Sequence, residues 1–509
     1  MPEEDPNPSS TERETRMHRV THAHPFFHYL TKEQAVLAIA AGAVLSVSVA
    51  PDLIRKLSPD LIRFLYFILR RKEAGIRIGK IFLSDSSRLR HTHIAGATGT
   101  GKTVLIEKMV REDLRRGGGA IIVDPKGDRS FYEAVKQYCK EIGREGDLHL
   151  LSTTHPRESV TWNPCSLGNA SELQTKFYNS SVYSEPHYAK ACEFGLLTAF
   201  RDLRSSADPF TLQNLLVKLK SLSSTHKDDT LSGLFFDLSN LIYGEWEQVF
   251  TRSENDTRTE LNLLNLIQKN QILFVDLPTE GKRVQSSRIG RLLTQEIILI
   301  SGMRKRNPEL MGNRPFSVYI DEFDAFATES FSSFLNKGRS SDFMIHLAHQ
   351  TLSDLNVISP EFSGQIMGNC NNRFIFRQDD PDDAERWARF IGTKKVIKKT
   401  YKTEGGYQTG DASNRESQEF IISPDTIKTL PIGECVFNSK TTNESRILKV
   451  PFIKTKKPRR KPNSPLPTSE RDLEVPRSEE MRPALGLTPV DPKEDHLDSR
   501  PHPNPRGTP

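Results

Sequence analysis

The chain has 509 residues, 36% hydrophobic and 27% charged, which is enough for two or three cores and ordinary for a globular protein. Lys and Arg exceed Asp and Glu by 71 − 65 = 6; six basic residues crowd into "KTKKPRRK" (Lys454–Lys461), so the remainder sums to zero and overall charge is no evidence for a nucleic-acid-binding body. The five cysteines, Cys139, Cys165, Cys192, Cys370 and Cys435, stand far apart without a CxxC pair, which argues against a disulfide framework or a zinc site and fits a reducing compartment.

Residues 1–30 are polar and His-rich and lack the apolar core of a secretory signal; disorder is expected there. Residues 31–75 hold two apolar segments. "AVLAIAAGAVLSVSVAP" (Ala35–Pro51) is uncharged but falls short of the ~20 apolar residues of a spanning helix. "LIRFLYFILRRK" (Leu61–Lys72) is shorter and interrupted by Arg63. Two readings stand, a short membrane hairpin or amphipathic helices that pack on a partner.

From Gly75 to Leu151, β-rich runs alternate with helical periodicity in the order β-α-β-α-β, which predicts an α/β fold with a mostly parallel central sheet and right-handed crossovers. Between Ser166 and Arg258 apolar residues recur at the helix period, as in "PFTLQNLLVKLKSL", and an all-α insertion over 166–258 is expected. Strands resume with "QILFVDLP" (Gln271–Pro278), "FSVYIDEFD" (Phe316–Asp324), "FMIHLAHQ" (Phe343–Gln350) and "NRFIFRQ" (Asn372–Gln378). The nucleotide-binding domain is thus discontinuous, 76–165 and 259–452, and a Pro-rich tail over 453–509 is expected to be disordered.

"GATGTGKT" (Gly96, Ala97, Thr98, Gly99, Thr100, Gly101, Lys102, Thr103) fits G-x-x-x-x-G-K-[ST] between an apolar strand and a helix. Such a loop turns its backbone N–H groups and a helix's positive end toward phosphates. Lys102 is expected on the β- and γ-phosphates of ATP and Thr103 on Mg²⁺. Three apolar strands end in aspartate, at Asp124, Asp276 and Asp321. Each alone also reads as a turn or helix cap, but only Asp321 is followed by a second carboxylate. Asp321 is therefore assigned to the metal and Glu322 to polarising the attacking water. Asp124 is given a supporting or nucleic-acid-facing position. Gln350, at a strand end, can sense the γ-phosphate. Arg339, past the helix that follows the acidic pair, can neutralise transition-state charge from a neighbouring subunit. Alternatively, Gln350 is a strand cap and Arg339 a solvated surface residue. His91 and His93, on the strand before the phosphate loop, lack Cys or carboxylate partners and read as structural.

Together with "IIVDPKGD", "TWNPC", "ILFVDLP", "YIDEFDAFA", "GRSSDF…LAHQTLSDL", "GNCNNRFIFRQDDPDDAERWARFIG" and "TLPIGECVF", these motifs resemble the coupling proteins of bacterial type IV secretion and conjugation, the TrwB/TraD type related to FtsK and HerA. The likeness covers residues 76–450. It implies a RecA-like P-loop NTPase with an inserted all-α domain, assembled as a homo-hexamer with DNA through its bore. Lys102, Thr103, Asp321 and Glu322 would form the site within one subunit, with Gln350 as sensor and Arg339 acting in trans. The chain departs from the family in its short N-terminal apolar segments. The resemblance puts it in the bacterial cytoplasm at the inner face of the inner membrane, with relaxase or relaxosome proteins and secretion-channel components as partners.

"GTKKVIKKTYK" (Gly392–Lys402), rich in lysine, reads as an exposed hairpin or loop that touches phosphates of single- or double-stranded DNA without sequence preference, or as a solvated hairpin. The first functional expectation is an ATP-driven DNA translocase serving a transfer channel. The alternatives are a HerA/FtsK-like pump outside secretion and an adaptor switched by nucleotide. A phosphate-loop kinase is disfavoured, because no lid-like Arg cluster surrounds a small acceptor site.

Overall fold

In the strands of the central sheet, successive aliphatic side chains serve opposite faces, and both faces are covered. The computed structural model describes residues 74–453 except 184, 227–230, 254, 405 and 406. The expectations for residues 1–30, Ala35–Pro51, Leu61–Lys72 and the tail with Lys454–Lys461 lie outside the described residues. Among those described, no helix is long and apolar enough to cross a membrane.

A hairpin of β1 (Gly75–Ile78) and β2 (Ile81–Ser84) leads into β3 (Thr92–Ala95), α1 (Lys102–Arg115), β4 (Ala120–Asp124), α2 (Ser130–Glu141) and β5 (Leu148–Ser152). Four longer helices follow, α3 (Ala170–Ser180), α4 (Pro186–Ser206), α5 (Leu212–His226) and α6 (Ser232–Ile242). The sheet resumes with β6 (Ile272–Asp276), α7 (Arg283–Arg306), β7 (Phe316–Ile320), α8 (Glu329–Gly338), β8 (Phe343–His349), β9 (Asn372–Ile375) and α9 (Pro381–Ile391). A long hairpin, β10 (Thr393–Glu404) and β11 (Tyr407–Phe420), precedes β12 (Glu434–Ser439) and β13 (Glu444–Lys449).

The large sheet has the order β13-β12-β9-β3-β8-β7-β4-β6-β5. From β9 to β5 all neighbours run parallel; β12 and β13 add antiparallel at one edge. This is the mostly parallel sheet of a RecA-like fold, with β8 lying between the phosphate-loop strand β3 and the acidic strand β7. Ile121, Val123, Val275, Val318 and Ile320 enter one core, while Ile122, Phe274 and Tyr319 enter the other. Burial on both faces is why β4, β6 and β7 read as unbroken apolar runs.

Between Ser166 and Arg258 the named elements among the described residues are helices. Asn169 opens α3 with a capping box closed by Glu172. Phe177 of α3 packs on Phe200 of α4 with ring centroids 5.6 Å apart. The block shares one continuous core with the sheet face that α7 covers, and the buried Lys176–Glu296 pair (3.2 Å) ties α3 to α7.

A buried polar cluster locks α1 to the sheet. Arg88 donates twice to Asp113, at 2.7 and 2.5 Å, and Ser317 and Tyr319 of β7 donate to the same carboxylate at 2.6 and 2.5 Å. Burial works against the charged form of Asp113, but the Arg88 guanidinium and the two hydroxyls outweigh it and hold the carboxyl down to about 2. The helix that begins at Lys102 is thereby pinned to the strand that leads into Asp321.

Candidate nucleotide site

All parallel strands deliver their carboxyl ends to one edge of the sheet, where open α/β sheets bind ligands. The β3–α1 loop lies there. Gly99 and Gly101 have φ of +75° and +117°, a region that side-chain-bearing residues rarely adopt. At Gly96 a Cβ would come within 2.5 Å of Phe376 Cβ, so the loop must pass the next strand without a side chain. Ala97 N donates to Arg377 O at 2.9 Å and Gly433 N to Thr100 O at 2.9 Å, which hold the loop from both sides. Gly101 offers α1 no side-chain cap, so the first-turn N–H groups are left for an anion.

Lys102 begins α1 and is 8% exposed. Its ammonium donates to Gly96 O at 2.6 Å and Ala97 O at 3.2 Å. Burial lowers its pKa, with Asp321 opposing. Thr103 Oγ1 donates to Asp321 Oδ2 at 3.1 Å, and the buried carboxylate is held by Glu322 N on its other oxygen, also at 3.1 Å. Glu322 lies in the left-handed region, with φ of 43° and ψ of 51°; such strain in a non-glycine residue clusters at functional sites. Burial and then the neighbouring Asp321 raise its pKa, partly offset by the charges of Lys126 and Lys102 and then by a hydrogen bond with Gln350. Gln350 also accepts from Thr98 Oγ1 at 2.9 Å, so it spans the acidic pair and the loop. Thr98, Gly99, Gly101, Lys102, Thr103, Asp321, Glu322 and Gln350 line a single cleft with Val104 and Lys126.

Arg339 is not in that cleft. It sits in a single 3-10 turn directly after α8 and is exposed. It precedes β8, whereas Gln350 follows it, so a seven-residue strand separates the two. At ~3.3 Å per residue that is roughly 20 Å, beyond the reach of an arginine. Its charge can serve a phosphate loop only if the loop belongs to another subunit.

Asp124 is 1% exposed, which removes the nucleic-acid-facing alternative. Burial foremost, and Asp321 beside it, push its carboxyl up to about 7 against the opposing charge of Lys126. Asp276 accepts from Ser152 and Thr154 at 2.8 and 2.6 Å and is occupied structurally. His91 precedes β3 in a turn with φ of 65°, and its ring bonds Leu335 O at 2.9 Å; His93, within β3, meets His349 at 2.5 Å. Both are structural. The five cysteines are free and buried, and no cluster of three or more His, Cys, Asp or Glu residues placed to hold a metal occurs among the described residues. In the β10–β11 hairpin, Lys398 pairs with Glu419 at 2.9 Å and Lys395 approaches Glu416 at 3.9 Å across the strands, so part of its positive charge is already answered.

Sequence reasoning gave no role to Lys126, whose ammonium donates to both Thr103 Oγ1 and Asp321 Oδ2, the latter at 3.3 Å. Its one signal is a lysine two positions after a strand-end aspartate, which carries meaning only once β4 is known to neighbour β7. The donor chemistry fits Mg²⁺: hard oxygens of Thr103 and Asp321 converge on one point, and the chain's own ammonium stands there as a cation.

Two stretches match known families. Residues 75–217 match the type IV secretion-system coupling protein DNA-binding domain, and residues 315–432 match the TraM recognition site of TraD and TraG. The type 4 coupling protein DotL of Legionella pneumophila is 23% identical over 468 residues, covering 74% of the chain. The chain spans 57% of the length of that relative. Among solved structures, the conjugative coupling protein TrwBdeltaN70 in its unbound monoclinic form aligns with a TM-score of 0.60 at 16% identity, over 76% of this chain and 90% of that one. TrwB in complex with ADP and Mg²⁺ aligns at 0.59 and 16%, over 76% and 91%. At such identity these structures speak for the fold.

Proposed function

The chain belongs to the type IV secretion-system coupling proteins, and from that membership we propose that it is an ATP-dependent DNA translocase that links relaxase-bound DNA to a transfer channel. The observation that carries this reading is the convergence of Lys102, Thr103, Asp321, Glu322 and Gln350 on one cleft at the carboxyl edge of the sheet. TrwB has been solved with ADP and Mg²⁺, which supports reading the cleft as a Mg·nucleotide pocket.

Mg·ATP, when bound, supplies a γ-phosphorus open to in-line attack by water. The loop's N–H groups and the α1 terminus bind and orient the phosphates. Lys102 is held by the carbonyls of Gly96 and Ala97 at the loop it serves, so it needs little reorganisation to reach them. Thr103 and Asp321 would hold the metal. Glu322, its pKa raised, takes the proton of the attacking water. Gln350 links Thr98 in the loop to Glu322 and ties the base's position to the phosphates. Arg339 completes the pocket of a neighbouring subunit, which makes a ring assembly, a homo-hexamer in this reading, a requirement of turnover.

DNA would pass through that ring, held by phosphate contacts without sequence readout. The experiment is displacement of a third strand from a DNA triplex. With ATP and Mg²⁺ the protein should strip it, and Glu322→Gln should not. Nucleotide-dependent assembly without displacement would replace the motor with an adaptor switched by nucleotide.

A further inference from the structure

Lys126 places its ammonium on the two oxygens, of Thr103 and Asp321, that a magnesium ion would need. Its backbone belongs to the tight turn Asp124–Pro125–Lys126–Gly127 at the exit of β4. That turn is clamped: Lys126 N donates to Asp124 Oδ1 at 3.3 Å and Thr279 N to Pro125 O at 3.0 Å. Gly127 has φ of +69°, and a Cβ there would lie 2.8 Å from Pro278 Cβ. The backbone is held, yet the Lys126 side chain is 37% exposed and has four rotatable bonds with which to swing.

Its ammonium reaches Thr103 Oγ1 and Asp321 Oδ2, which also bond each other at 3.1 Å. These are the two oxygens assigned to Mg²⁺ above. A magnesium ion demands oxygens at ~2.0–2.1 Å in octahedral array, leaving no room for an ammonium on the same pair. Two cations that close in a half-buried cleft also repel strongly.

We propose that Lys126 is an exchangeable internal cation: it neutralises Asp321 and holds Thr103 against it, and the divalent ion must displace it. Lys126 thereby sets the Mg²⁺ concentration at which nucleotide is held. The same charge supports residual nucleotide binding when Mg²⁺ is absent. This inference rests on the reading of the cleft as a Mg·nucleotide pocket.

The test is binding of a fluorescent ADP analogue to the full chain at fixed nucleotide while Mg²⁺ is titrated, which needs no turnover. Lys126→Met should lower the half-saturating Mg²⁺ by roughly fivefold, less than the tenfold that 1.4 kcal/mol would give. It should also weaken analogue binding in EDTA. Lys126→Gln serves as a second variant should the first unfold, with thermal melts checking both. In an Asp321→Asn background, Lys126→Met should shift the midpoint little, because the contested carboxylate is gone. Equal Mg²⁺ midpoints for wild type and folded variants would overturn the role of Lys126 while leaving the pocket intact. Failure of the wild type to bind the analogue at any Mg²⁺ would overturn the pocket itself, and the inference with it.

Discussion

The Thr103 hydroxyl donates to Asp321 Oδ2 across 3.1 Å although 218 positions separate them in the chain. One residue lies in the first turn of the helix after β3 and the other directly follows β7, and the two strands are not neighbours. The contact exists because β8 alone lies between them and because the Arg88–Asp113–Tyr319 cluster ties α1 to β7 beneath the cleft.

That cluster should be costly to break and cheap to replace. Asp113→Ala strands the buried Arg88 guanidinium and should cost about 3–5 kcal/mol, read as a lower urea midpoint. Replacing Arg88 and Asp113 together by apolar residues of similar size should recover most of the loss. A single variant as stable as wild type would contradict the anchoring role.

Lys102→Ala removes the cation at the head of α1. ATP turnover should fall to background while thermal melting without nucleotide stays close to wild type, as the side chain bonds only its own loop. Retained hydrolysis would refute the site.

Arg339 lies a strand's length from its own phosphate loop, so two inactive variants should complement each other. Arg339→Ala and Glu322→Ala subunits, each inactive alone, should regain part of the ATPase rate when mixed. An interface pairing Glu322 from the first with Arg339 from the second has both groups. No recovery over a range of mixing ratios would remove the arginine from the mechanism.

Acid should destabilise the protein through its buried imidazoles. Burial holds His91 down to about 4, with the bond to Leu335 O opposing, against an ordinary value of 6.5. A depressed folded-state pKa gives stability that is present above about pH 6.5 and lost as pH falls toward 4; for His91 that is about 3 kcal/mol. His91→Asn, which tolerates the positive φ, should make unfolding free energy fall less steeply with acid across that window. The remainder of the slope comes from His93, His346 and His349, whose pKa values burial also lowers. An unchanged slope would show that His91 charges freely in the folded state.

Much of the sheet was legible because strands buried on both faces leave unbroken apolar runs, such as "ILFVD" and "FSVYI". The phosphate loop and acidic pair were legible because their chemistry is local to a few residues. Sequence could not show that β6 inserts between β4 and β5, since strand order is settled by packing across the whole sheet. Nor could it show Lys126 reaching Asp321, because that contact depends on β4 lying beside β7. Asp124 illustrates the same limit: its residue type allowed a supporting or a surface role, and burial decided.

The central claim, that the cleft turns ATP hydrolysis into work on DNA, is tested most directly by the ATPase rate with and without DNA. DNA should raise the rate severalfold, and the stimulation should fade as salt rises, because phosphate contacts weaken with ionic strength. A rate that is the same with and without DNA at every salt concentration would contradict it.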